Sequence, residues 1–201
     1  MTESYPYADE ARGARIIDKF QQVCQNYGLV VKETTVDFAA ASDRIIDLYQ
    51  RTRPDCNARD LVSDCQQAVN FRAVVLYHAS DPERLVGLCA VKTPTTADIN
   101  GEAERLICNA QRQLGIPLAN RVYCRDLAVT PEFQGLGIAS GLAWTARNLW
   151  RQAEGTITLS RIRPNNRASM FAATEMGQAS LGIYDTTTDK YIWWGVIPPT
   201  N

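Results

Sequence analysis

A single histidine, His78, stands in a chain of 201 residues, and the six cysteines contain no C-x-x-C pair. Cys24, Cys56, Cys65, Cys89, Cys108 and Cys124 are too widely spread for the spacing of a zinc site, so no metal is expected. Reduced thiols serving as small apolar residues fit this pattern better. His78 closes an apolar run and reads as a strand-end residue rather than a catalytic base. A net charge of -1 gives the chain as a whole no electrostatic drive toward nucleic acid or an anionic membrane, and neither is expected as a partner. The opening MTESYPYADE lacks the basic and apolar segments of a secretory signal, so a cytoplasmic location is expected. Internal repeats and low-complexity segments are also missing.

With 45% hydrophobic and 21% charged residues, the composition is that of a soluble globular protein, and the length suits one domain over residues 1–201. Ile16, Ile17, Phe20, Val23, Cys24 and Tyr27 recur at helical spacing before Gly28, which predicts an N-terminal helical extension over residues 1–28. Residues 29–38 read as a strand, Ser42 as the N-cap of a helix that Pro54 interrupts, and residues 59–69 as a second short helix. Two apolar runs, 71–77 and 84–92, flank HASDPE and predict an antiparallel hairpin. Residues 93–120 form an insertion with a helix over 102–114, stopped by Gly115 and Pro117. Strands follow at 121–130, 156–162 and 179–184, with helices at 137–153 and 166–176 and a terminal hairpin running to Ile197. The fold class is mixed α/β, with about seven strands. Trp193 and Trp194 must point to opposite faces of the last strand.

The stretch LAVTPEFQGLGIASGLAWTARNLW leads a strand through two glycines into a helix. Unpaired N–H groups at such a helix start attract an anion, and Gly135 and Gly137 let a ligand approach the backbone closely. A diphosphate is the natural guest. The nucleotide-binding P-loop is excluded, because no lysine follows the glycines. A dinucleotide fingerprint is closer, with Gly135, Gly137 and Ser140 at G-x-G-x-x-S and Arg161 or Arg163 available for a 2′-phosphate. Here, however, the strand ends too early and the run of parallel strands is missing.

QGLGIA resembles the Q/R-x-x-G-x-G/A signature of the GNAT superfamily, the acetyl-CoA-dependent N-acetyltransferases, and LAVTPEF resembles the strand that leads into it. Downstream, NRASMFAATEMG is similar to the family segment in which an Asn and a small residue, here Ser169, open a short helix closed by glycine. The resemblance implies a mostly antiparallel central sheet flanked by helices. It also implies that backbone amides of Gln134, Gly135, Leu136, Gly137, Ile138, Ala139 and Ser140 bind the diphosphate of acetyl-CoA. Leu127, Ala128 and Val129 would pair with the pantetheine arm like an added strand, and Asn166 would touch the same arm.

The implied reaction is direct transfer of an acetyl group to a primary amine of a small molecule, peptide or protein, with a backbone N–H near Val129 polarising the carbonyl. The family often carries a tyrosine as general acid where this chain has Ala173. Tyr123, Tyr184 and Ser169 are the replacement hydroxyls, and Asp126 is the candidate base. Cys124 has no histidine to activate it and is read as core. Two alternatives stay open: a catalytically silent acyl-CoA-binding module, or an acyltransferase using another acyl-CoA or acceptor. The insertion is expected at the mouth of the acceptor cleft or on a subunit interface, in which case a homodimer would form. Asp98, Glu102 and Glu104 would there attract a cationic amine, unless Glu102 and Glu104 merely complement the helix N-terminus.

Overall fold

The computed structural model describes residues 5–34, 42–54 and 57–200. Helix α1 (Glu10–Tyr27) starts at Asp9, whose carboxylate accepts the Arg12 N–H at 3.0 Å, and stops at Gly28, where φ is 61°. A left-handed residue at this position releases the chain directly into β1 (Leu29–Thr34). The remainder of the strand expected to reach residue 38 lies outside the described residues. Ser42 opens α2 (Ser42–Thr52), which is followed by α3 (Ala58–Gln67). The expected hairpin is β2 (Arg72–His78) with β3 (Asp81–Lys92), and His78 lies at the strand end, its Nδ1 2.7 Å from the Ser80 hydroxyl.

The insertion contributes α4 (Gly101–Leu114), capped by Gly115 at φ 67°. Then come β4 (Arg121–Val129), a single 3-10 turn at Pro131–Phe133, α5 (Ile138–Asn148), β5 (Thr156–Ile162), α6 (Arg167–Glu175), β6 (Ala179–Asp185) and β7 (Lys190–Ile197). Helix α5 ends five residues earlier than its apolar stripe predicts. Leu149 and Trp150 still pack on the core, but the chain has begun to turn back: the Trp150 carbonyl accepts the Thr156 hydroxyl at 2.9 Å.

The seven strands form one sheet in the order β1-β2-β3-β4-β5-β7-β6. Every neighbouring pair is antiparallel except β4 and β5, which α5 connects as a crossover. Alternation sorts the side chains. Val74, Leu76, Val122, Leu127 and Ile162 face α1, α5 and α6. Ala73, Val75, Leu88 and Ala128 face α2, while Tyr123, Leu159 and Ile192 meet Ile107 and Ala110 of α4. Trp194 belongs to the α4 side and Trp193 to the opposite one, as their adjacency requires. The sheet is thus covered on both faces, and buried apolar area of this kind is the main term holding the layers together.

Candidate active site

Strand β4 carries one more residue than its partner can match. Ala90 pairs with Asp126 and Val91 with Cys124, so Arg125 is a bulge. On its other side, β4 pairs with β5 only from Arg121 to Cys124, opposite Ile157 to Ser160. Beyond that point the two parallel strands separate, and a cleft of about 280 Å³ opens between them. Cys124, Asp126 and Leu127 form one wall; Ser160 and Ile162 form the other. Asn166, Ser169, Ala172, Ala173 and Met176 close it on the α6 side.

The exposed edge of β4 offers hydrogen-bonding groups that β3 does not use. Within the chain, the Leu127 N–H donates to Asp126 Oδ1 at 2.9 Å, and the Leu127 carbonyl accepts from Arg53 Nη2 at 3.1 Å. The Val129 carbonyl accepts from Gln134 Nε2 at 2.9 Å. These are side-chain contacts at a strand edge, of the kind an extended ligand replaces with backbone-like pairing. Ala128 points away, into the core under α2.

Immediately after β4 the chain reaches the glycine turn. Gly135 and Gly137 adopt φ of 78° and 88°, a region that L side chains rarely enter. Leu136 packs against the core, and Ile138, Ala139 and Ser140 open α5, with Ile138 and Ser140 buried. Gly137 is the N-cap, and no side chain caps the helix. Its first amides therefore remain for another acceptor, with the positive end of the helix dipole behind them. A Cβ on Gly135 would meet open space, while one on Gly137 would lie 3.5 Å from the Lys19 side chain of α1. At the next helix, Asn166 Oδ1 accepts the Ser169 N–H at 3.0 Å and starts α6.

Asp126 lies on the cleft wall, 8% exposed, with Oδ1 3.1 Å from Arg53 Nη1. Tyr123 and Tyr184 are not on the cleft walls. Tyr123 is 2% exposed under α4, its hydroxyl accepting from Arg161 Nε at 2.9 Å, and burial pushes its pKa up to about 12. Tyr184 is exposed on β6, its ring 5.1 Å from that of Tyr191. Ser169 does reach the cleft, one turn before Ala173. Cys124 lines the cleft too, with Sγ 3.9 Å from Cys89 Sγ.

Two of the insertion's carboxylates, Asp98 and Glu104, are paired with cations of the sheet. Asp98 is buried against Lys92 at 2.9 Å and accepts from both the N–H and the hydroxyl of Thr95. Burial alone would raise its pKa, yet the Lys92 and Thr95 donors hold it below the usual carboxylate range. Glu104 accepts from Arg121 Nη1 on both oxygens, at 2.8 and 2.9 Å, and from Cys108 Sγ at 3.2 Å. Glu102 is exposed near Arg105 in the first turn of α4. The insertion does touch the cleft through the Ala97 carbonyl, which accepts from Arg161 at 3.1 Å.

Sequence reasoning missed Arg53, which follows α2 and reaches a β-strand 73 positions further along the chain. No local pattern marks such a contact. Among the described residues no group of three or more His, Cys, Asp or Glu side chains could hold a metal ion. Nor is any helix there long and apolar enough to cross a membrane.

Known proteins fit this architecture. The E. coli ribosomal-protein-S18-alanine N-acetyltransferase superposes with a TM-score of 0.56 at 13% identity, covering 86% of this chain and 96% of its own. The aminoglycoside 6′-acetyltransferase type Ii gives 0.58 at 12%, covering 86% and 99%. Ard1 from Thermoplasma volcanium gives 0.53 at 12%, covering 85% and 98%. At such identities the likeness is one of fold. No curated protein matches the sequence. The family model described as "Acetyltransferase (GNAT) family" matches residues 42–177, a span that contains the hairpin, the bulged strand, the glycine turn and α6. This chain belongs to the GNAT acetyltransferase family.

Proposed function

We propose that the protein transfers an acetyl group from acetyl-CoA to a primary amine by direct attack. The observation that carries this reading is the opening between β4 and β5 beside an uncapped helix start with two glycines of positive φ. A diphosphate would rest on the amides of residues 134–140, and the pantetheine arm would lie along Leu127, Ala128 and Val129. The amide nitrogen of Asn166, which makes no hydrogen bond among the described residues, would meet the same arm.

Asp126 accepts one proton from the incoming ammonium, and the neutral amine attacks the thioester carbonyl. The N–C bond forms, the nitrogen gives up its second proton as the C–S bond breaks, and CoA leaves as a thiolate that takes up this proton to become the thiol. Ser169 is the hydroxyl best situated to relay that proton, because it lines the cleft where Tyr123 and Tyr184 do not. Ala173, 1% exposed, stands where the family often has its acid, and it favours one competing reading: a module that binds acyl-CoA without turning it over.

A thiol-release assay with acetyl-CoA and pooled primary amines, run beside calorimetry with CoA, separates the two. Amine-dependent thiol release supports transfer. Binding of CoA with no release by any amine pool selects the silent module.

A further inference from the structure

The cleft has two chemically different sides. Residues on the α6 side are small or apolar: Ser169, Ala172, Ala173 and Met176. On the other side, the lining includes Arg53, Arg125, Arg161, Arg163 and Lys190, against Asp126 as the single carboxylate among the described residues. The α2–α4 face supplies Arg53, Arg125, Arg161 and Lys190, and Arg163 lines the same cleft near Lys190. Arg53 follows α2, Arg125 pairs with Asp64 of α3 at 2.8 Å, and Arg161 reaches Tyr123 and Ala97. Lys190 shares its side of β7 with Ile192 and Trp194, both packed under α4.

Three of the five are compensated within the protein. Arg53 has Asp126, Arg125 has Asp64, and Arg161 has Asp185 at 3.5 Å. Arg163 and Lys190 have no hydrogen bond or ion pair from their side chains among the described residues. Lys190 is half-buried, and burial, together with the nearby Arg161, lowers its pKa from the ordinary lysine value. The Asp126 charge offsets this only in part, and a bound anion recovers free energy that holding such a group costs. A cationic amine entering here would meet repulsion from both side chains.

We infer that the acceptor is a small amine that carries its own anionic group, a carboxylate or a phosphate, held by Arg163 and Lys190 while its amino group points to Asp126. This rests on the acetyl-transfer reading for the role of the amine, but the anion site itself does not require turnover. The two side chains can form charge-assisted hydrogen bonds with either anion, and an arginine offers a planar fork to both.

The test titrates β-alanine, O-phosphoethanolamine, glycinamide and 1,3-diaminopropane into the CoA-saturated protein, and separately into the protein without CoA. An acidic tetrapeptide with a free N-terminus is included, and the wild type is compared with Arg163→Gln, Lys190→Gln and the double variant. Both residues lie at the cleft surface, and thermal melts verify that each variant is folded. The anionic amines are expected to bind about tenfold or more tightly than glycinamide, with the diamine weakest, and each substitution should remove about tenfold for the anionic pair alone. The stronger of the two small acids identifies the anion as carboxylate or phosphate. Equal or tighter binding of glycinamide or the diamine would overturn the inference, as would unchanged affinity in the double variant. Clear preference for the tetrapeptide would overturn the small-molecule assignment. Absence of CoA binding with anionic-amine binding retained would defeat the transfer reading, and with it the acceptor role, and leave only the anion site of Arg163 and Lys190 standing.

Discussion

Arg53 ties Asp126 to the edge of β4: Nη1 lies 3.1 Å from Asp126 Oδ1, and Nη2 donates to the Leu127 carbonyl at the same distance. Oδ1 also accepts the Leu127 N–H, so it already holds two donors. Among the described residues Arg125, at 4.0 Å, is the cation nearest Oδ2, and this is the oxygen that would meet an incoming ammonium. Asp126→Asn keeps an acceptor oxygen for Arg53 and for Leu127 but cannot take a proton. It should lower kcat by about a hundredfold while leaving the Kd for CoA within about twofold. Equal kcat in the two proteins across the pH range would remove Asp126 from the mechanism.

The glycine turn makes a prediction that separates ligand approach from backbone strain. Gly135→Ala and Gly137→Val both place a side chain on positive φ, and each should cost about 1–2 kcal/mol of stability for that reason alone. Gly115→Ala has the same liability at φ 67°, also in open space, but it caps α4 away from the cleft. All three should melt earlier, whereas only the first two should weaken CoA binding, by about tenfold or more in calorimetry. Normal CoA affinity in folded Gly137→Val protein would rule out the turn as the diphosphate site.

The helices were readable where a period of 3.6 met a capping residue. Gly28 closes α1, Asn166 opens α6, and Gly115 closes α4. Two apolar runs around HASDPE anticipated the hairpin, and strand alternation the opposed faces of Trp193 and Trp194. The turn of Gly135 and Gly137 stood out because a glycine pair at a helix start serves a backbone purpose. The character of the acceptor side did not stand out, since it depends on pairs between distant segments. Asp98 and Glu104 look like a free acidic cluster along the chain, and only the packing of α4 brings Lys92 and Arg121 onto them. Conversely, Arg163 and Lys190 resemble ordinary surface charge until β5 and β7 set them beside the same cleft. Net charge averages over both and conceals a local excess of cations.

Helix α1 is fastened to α5 by contacts that leave no spare volume. A Cβ on Gly13 would overlap the Trp144 indole, and one on Gly141 would overlap Phe20. At the start of α1, Glu10 accepts from Arg147 at 3.0 Å and from Arg151 at 3.2 Å. Arg147 is 3% exposed and lies over the Trp144 ring, and burial pushes its pKa down to about 10. In an open helix, Gly→Ala would stabilise by about 1 kcal/mol through propensity. Here Gly13→Ala should destabilise by about 1–3 kcal/mol through overpacking, a reversal of sign visible in urea melts. A stabilised Gly13→Ala protein would show that α1 is not packed on α5 in this way.

Tyr123 predicts how stability responds to alkaline pH. Its hydroxyl is buried among the α4 contacts, and desolvation holds the neutral form; the bond from Arg161 opposes that shift without cancelling it. The folded pKa of about 12 lies above the ordinary tyrosine value of about 10 that holds in an unfolded chain. The folded state therefore keeps its proton where the unfolded state has released it. The stabilisation is fully present below about pH 10 and is lost as pH rises toward 12, a range in which two pKa units correspond to about 3 kcal/mol. Tyr123→Phe removes this titration, so its urea midpoint should fall less steeply than that of the wild type over the same interval. It also deprives Arg161 Nε of its acceptor, and some loss at neutral pH is expected, of about 1 kcal/mol. Tyrosinate absorbance in the folded protein should show one ring that ionises late in the wild type and is missing from the variant. Parallel pH profiles for the two proteins would mean that Tyr123 is not buried as a neutral phenol beneath α4.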